Sequence, residues 1–229
     1  MSKDGMDDQA DVMRRAVAAY QTALEVCTAP LDYAAAQNNL GNAYRDLAAL
    51  EDRADNLRRA VEAYQAALAY WTPQTAPFAH AMTRNTLGNV YHDLSEIEDR
   101  AGHLRRAIEA YLAALVYGAP ENAPSAYTMI QNNLGNAYSD LSEMEDREGN
   151  LRRAIDAYRV TLEYHTAQTS PLTYAQTQHN LGIAYADLGD LEAAIACWCE
   201  AEIYYREKGV DDLAELMQSW IADAGGACL

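Results

Sequence analysis

The chain repeats one passage four times at a fixed step. Asn38-Asn39-Leu40-Gly41-Asn42-Ala43-Tyr44 returns as Asn85-Thr86-Leu87-Gly88-Asn89-Val90-Tyr91 and as Asn132-Asn133-Leu134-Gly135-Asn136-Ala137-Tyr138. Its fourth form is His179-Asn180-Leu181-Gly182-Ile183-Ala184-Tyr185. The glycines lie 47 residues apart, and Pro30, Pro77, Pro124 and Pro171 keep the same step. A period of this length marks a stack of units, each burying its apolar face against its neighbours. The 229 residues are therefore expected to form one continuous array rather than ordinary globular domains.

Each unit reads as two helices. The first opens at the recurring proline, whose missing N–H costs nothing in a first turn. In the third unit it runs from about Pro124 through Leu134, Ala137, Tyr138 and Leu141 to about Met144, with apolar residues at helical spacing. Glu51-Asp52-Arg53, Glu98-Asp99-Arg100 and Glu145-Asp146-Arg147 interrupt the pattern, and each Asp is expected to cap the next helix. The second helix carries Leu57-Arg58-Arg59-Ala60-Val61-Glu62-Ala63-Tyr64 and its counterparts from Leu104 and Leu151. Its alanines allow close approach, its tyrosines fill the gaps, and its arginine pair lies off the buried face. The expected boundaries are an opening half unit at 7–27 with a second helix only, units at 30–73, 77–118, 124–166 and 171–208, and a capping helix at 210–223. The tail from Gly225 is expected to fray. Abundant Ala and Leu with few β-branched residues also favour helix. The fold class expected is all-α, with about ten helices.

Charge narrows the partners. The formal net charge is −17, from 34 acids against 17 bases. Such a body repels nucleic-acid phosphates and anionic membranes, so neither is an expected partner. None of the cysteines Cys27, Cys197, Cys199 and Cys228 recurs with the repeat, so they are expected to be packed or surface thiols rather than a repeated disulfide or metal frame. The sequence has no signal-peptide core and no long apolar run, and a cytoplasmic location is the expectation. No phosphate loop, His-Glu-x-x-His or nucleophile elbow is present. The histidines (His80, His92, His103, His165, His179) are scattered over different repeat positions and are expected in loops or on the surface. The reading is of a protein that is not an enzyme, with no catalytic residues, no cofactor and no metal.

The fourth unit is seven residues shorter between Gly182 and Ala194 than the first is between Gly41 and Ala60. Its pattern Leu181-Gly182-x-x-Tyr185-x-x-x-Gly189-x-x-x-x-Ala194-x-x-x-Trp198-x-x-Ala201 resembles the tetratricopeptide repeat. The other units resemble a lengthened form of it, of a kind found in bacterial proteins, often beside signalling or protease-like domains. Seven residues are about two helical turns, so each helix is expected to gain one. The Glu-Asp-Arg break would stand in for the turn glycine.

The resemblance implies a right-handed α-solenoid of stacked antiparallel helix pairs whose first helices line a concave groove. Carried over from the glycines, the groove positions are Asn42, Asn89 and Asn136 (with Ile183 departing) and Asn38, Asn85, Asn132 and His179. Arg45-Asp46, His92-Asp93, Asp140 and Asp187 follow, with Met82 and Met129 one turn earlier. An amide both donates and accepts, so the Asn ladder could hold a peptide backbone, or it could serve inter-helix bonding. The Asp row favours Lys or Arg on the ligand, unless it is merely solvated. With only Arg45, and at most Arg84, near this surface, the family's grip on a terminal carboxylate is not supported. The function implied is a protein- or peptide-binding scaffold for an extended or helical, neutral-to-basic segment. The alternatives are self-assembly through the opening half unit, with Met13, Val17, Tyr20 and Leu24 as contacts of a homo-oligomer, and a regulatory module of a larger system.

Overall fold

The computed structural model describes residues 3–116 and 123–228, with side chains from residue 8 onward. Ten α-helices and no strand occur among the described residues, an all-α solenoid of consecutive packed pairs. Residues 117 and 118, which end the second expected unit, and the side chains of the acidic leader before residue 8 lie outside this description. The chain divides into two compact units, Met1–Ala119 and Pro120–Leu229.

The N-terminal unit holds α1 (Lys3–Val26), α2 (Pro30–Ala48), α3 (Arg53–Leu68), α4 (Pro77–Ser95) and α5 (Arg100–Leu115). The C-terminal unit holds α6 (Pro124–Ser142), α7 (Arg147–Tyr164), α8 (Pro171–Leu188), α9 (Leu191–Glu207) and α10 (Asp211–Asp223). In both, the first helix of each repeat starts with proline in its first turn.

The packing of each pair rests on one repeated contact. Tyr64, Tyr111 and Tyr158 are fully buried and pack directly on Gly41, Gly88 and Gly135, where an added Cβ would sit 2.5–2.7 Å from the ring. Trp198 does the same on Gly182. The glycine here serves close approach, not backbone freedom. The second arginine of each pair then covers the first-helix tyrosine: Arg59, Arg106 and Arg153 lie 5.8–5.9 Å from the ring centres of Tyr44, Tyr91 and Tyr138. Exposed guanidinium–ring contacts of this kind contribute about 0.5–1 kcal/mol each. The first arginine makes ion pairs, Arg58 with Asp55 at 2.6 Å and Glu98 at 2.5 Å, and Arg152 with Glu148 at 2.5 Å.

The expected gain of one turn occurs at the start of the second helix but not in the first. α2 has 19 residues against 18 in α8, and α3 has 16 against 17 in α9. The extra residues form a wider break, 49–52 against 189–190, and one added turn at the start of α3, which begins seven residues before Ala60 where α9 begins three before Ala194. The breaks turn on left-handed residues. Asp52, Asp99 and Asp146 adopt φ of 44°, 39° and 41°, and Gly189 in the short repeat adopts 90°. Asp is among the few non-glycine residues that tolerate this region. Each also occupies the expected cap position, but only Asp99 accepts a cap bond through its side chain, from Gly102 N. Buried Asn56 and Asn150 help to close their breaks instead, donating from Nδ2 to the Glu51 and Glu145 carbonyls at 2.9 and 2.7 Å.

Three further expectations are corrected. Cys199 is not a free thiol: it is disulfide-bonded to Cys228. Such a bridge persists in oxidising surroundings and is uncommon in reducing ones. The tail does not fray over residues 225–228, because Gly225 and Gly226 donate to the Ala222 and Ile221 carbonyls and Gly226 packs on Ile195. The histidines are not mainly surface residues. His80 and His103 are buried, His165 is within 2.7 Å of the Thr128 hydroxyl, and His179 stacks edge-on against Tyr205 and Trp220.

Candidate partner-binding surface

The amide ladder is occupied from within. The hydroxyls of Tyr64, Tyr111 and Tyr158 each donate to the side-chain oxygen of Asn42, Asn89 and Asn136 at 2.7 Å. A buried phenol needs a partner, and the asparagine after the glycine is the nearest acceptor the repeat can offer. Burial raises all three tyrosine pKa values well above the ordinary phenol range, so each hydroxyl stays a donor. The second row bonds successive first helices. Thr83 Oγ1 donates to Asn38 Oδ1 at 3.0 Å, while Thr177 Oγ1 lies 3.3 Å from Asn132 Oδ1 and shares its one hydrogen with the Thr173 carbonyl at 2.7 Å. Asn180 Nδ2 adds a bond to Asn136 Oδ1 at 3.1 Å. Asn85 is 2% exposed. The ladder's carbonyl oxygens are therefore bound inside the fold, which leaves a ligand less than the full amide.

The acids stand differently. In the N-terminal unit Asp46 is exposed and pairs with its neighbour Arg45 at 3.2 Å. Asp93 is half-buried; burial raises its carboxyl above the usual range, opposed by His92, Arg53 and Arg45. In the C-terminal unit Asp140 is half-buried and Asp187 is exposed, meeting Arg147 at 2.8 Å. Met82 is half-buried and Met129 is 41% exposed. On α1, Val17 is buried at 8%, and Met13, Tyr20 and Leu24 are half-buried, so α1's packing on α2 already uses part of the surface suggested for self-association.

The fourth repeat departs from this scheme. Ile183 replaces the bonding asparagine, Trp198 replaces the tyrosine, and the indole Nε1 finds no hydrogen-bond partner. Next to them an open groove of about 440 Å³ is lined by Ile183, Ala186, Asp187, Trp198, Trp220 and Ala224, among others. Sequence reasoning marked Ile183 and His179 as breaks in the ladders. It missed Trp220 and Asp223, whose place beside α8 depends on how α10 packs. Burial of Cys197 pushes its thiol up to about 11, which disfavours the reactive thiolate. Among the described residues no group of three or more His, Cys, Asp or Glu is placed to hold a metal ion, and no helix is long and apolar enough to cross a membrane.

Two family models described as tetratricopeptide repeat match, at residues 128–166 and 175–202. No curated protein matches. Among solved structures the chain is similar to BtubC (BKLC) from P. vanneervenii, at 24% identity and a TM-score of 0.63, over 90% of this chain and 80% of that one. It is also similar to MamA, at 19% identity and a TM-score of 0.62, over 91% of this chain and 98% of that one. At these identities the likeness concerns the fold.

Proposed function

The chain is a tetratricopeptide repeat protein, and from that premise we propose that it is a non-catalytic scaffold that holds a neutral-to-basic protein segment on the first-helix face of its repeats. The single observation that carries this reading is a division of labour within the first three repeats, with only the acid kept in the fourth. The asparagine oxygens bond the fold to itself, while a carboxylate recurs one turn further on at Asp46, Asp93, Asp140 and Asp187. A body at −17 draws cationic segments toward it and speeds their encounter. Met82 and Met129 add adaptable apolar contacts.

The test is titration of the full chain with an acetylated, amidated peptide of alternating serine and arginine, followed by NMR. Wild type is expected to bind, with shifts at Asp46 and Asp93, and the Asp46→Asn/Asp93→Asn variant to bind at least fivefold more weakly. Asp93→Asn removes a charge that burial already disfavours, so thermal stability should hold. Equal affinity in a folded variant overturns the assignment of these acids.

A further inference from the structure

We propose that the groove between α8 and α10 is a docking pocket for one apolar side chain followed by a lysine or arginine on a partner segment. The inference deepens the scaffold reading and rests on it.

The groove exists because the last step of the C-terminal unit is built unlike the one before. Between α6 and α8, the Asn180–Asn136 bond and the polar Thr177–Asn132 contact close the step. Between α8 and α10 the residues in the places of Asn132 and Asn136 are His179 and Ile183, and neither repeats those contacts. His179 instead meets the Trp220 ring at 5.4 Å, and Trp220 meets Trp198 at 5.3 Å. The result is an apolar trough where the preceding step has a polar seam. Its 440 Å³ falls within the range of about 300–1,000 Å³ typical of ligand pockets.

Three observations define the occupant. Ile183, Trp198 and Trp220 offer aliphatic and aromatic walls, which suit a leucine-sized or aromatic side chain. Trp198 is 5% exposed and its indole Nε1 is turned onto Gly182, so what it offers the groove is the apolar face of its ring and not a hydrogen bond. Asp187 and Asp223 line the same groove. Arg147 partly compensates Asp187, and among the described residues no cation pairs with Asp223. A cation beside that carboxylate would also lie near the Trp220 ring, where its attraction to the ring face adds to the pair. Acidic segments are disfavoured by both carboxylates and by the net charge.

The pocket is tested on the full, disulfide-intact chain with three acetylated, amidated hexapeptides, alternating leucine with arginine, leucine with glutamate, and serine with arginine. Binding is read from the indole N–H signals of Trp198 and Trp220 in NMR spectra. The leucine–arginine peptide is expected to shift both signals and to bind there at least tenfold more tightly than the other two. Asp223→Asn should weaken it at least threefold, and Ile183→Asn, which restores the residue of the other repeats, at least fivefold. Equal shifts from the serine–arginine peptide, or unchanged affinity in a folded Asp223→Asn variant, overturn the pocket. So does leucine–arginine binding that leaves both indoles unmoved while shifting residues around Asp46 and Asp93, although the scaffold reading then stands. Failure at Asp46 and Asp93 with both indoles shifted does the reverse.

Discussion

Tyr111→Ala is expected to destabilise the N-terminal unit by about 3–5 kcal/mol, the usual cost of removing a fully buried aromatic ring. Tyr111 is 2% exposed, and its ring fills the space over Gly88, so deletion leaves a cavity at the centre of the α4–α5 pair. Gly88→Ala attacks the same contact from the other side. Its Cβ would stand 2.5 Å from the Tyr111 ring, an overpacking that costs about 1–3 kcal/mol against a gain of about 1 kcal/mol in helix propensity. The sign should therefore depend on the background. In the wild type Gly88→Ala destabilises. With Tyr111→Ala already in place the clash is gone, and the same change should stabilise by up to about 1 kcal/mol. Urea denaturation of the four chains decides it. An effect of Gly88→Ala that is the same in both backgrounds contradicts the ring-on-glycine account.

Breaking the Cys199–Cys228 bridge is the second large effect. The residues are 29 apart, and loop-closure entropy alone puts the stabilisation at about 3–4 kcal/mol. Cys199→Ser, or a reductant, is expected to lower the stability of the C-terminal unit by up to that amount and to leave the N-terminal unit unchanged. Circular dichroism with a probe in each unit measures both. Thiol titration in denaturant without reductant should find two thiols, Cys27 and Cys197. Four thiols would contradict the bridge. The bridge also bears on the groove, since Asp223 and Ala224 line it just before the tethered tail.

Much of this fold was legible because the sequence states it repeatedly. The fixed glycine step, the proline at each first turn and the Leu-Arg-Arg-Ala pattern specify helices and their pairing. Two parts were not legible for physical reasons. Seven extra residues can lengthen a helix or widen a turn, and propensity does not separate these. The outcome depends on whether Asp52, Asp99 and Asp146 adopt a left-handed conformation, which Asp allows but does not announce. The cysteine pairing was hidden because Cys228 lies beyond the last recognisable helix, and only the path of the tail brings it to α9. The candidate site was half legible. The positions of the Asn and Asp ladders follow from the glycine count, and internal bonding was one of two readings open for the amides. What decides between them is the direction of the Tyr64, Tyr111 and Tyr158 hydroxyls, and spacing alone does not give it. The breaks at His179 and Ile183 were visible, but the groove beside them needs α10 in place.

The central claim is that the asparagines after Gly41, Gly88 and Gly135 belong to the packing, which leaves recognition to the acids. A double-mutant cycle on Asn42 and Tyr64, joined at 2.7 Å, tests it most directly. Urea denaturation of wild type, Asn42→Ala, Tyr64→Phe and the double variant gives the coupling free of other losses. The account predicts about 1 kcal/mol of favourable coupling, the typical net value of such a hydrogen bond. A coupling indistinguishable from zero would contradict it and return the amide ladder to the ligand.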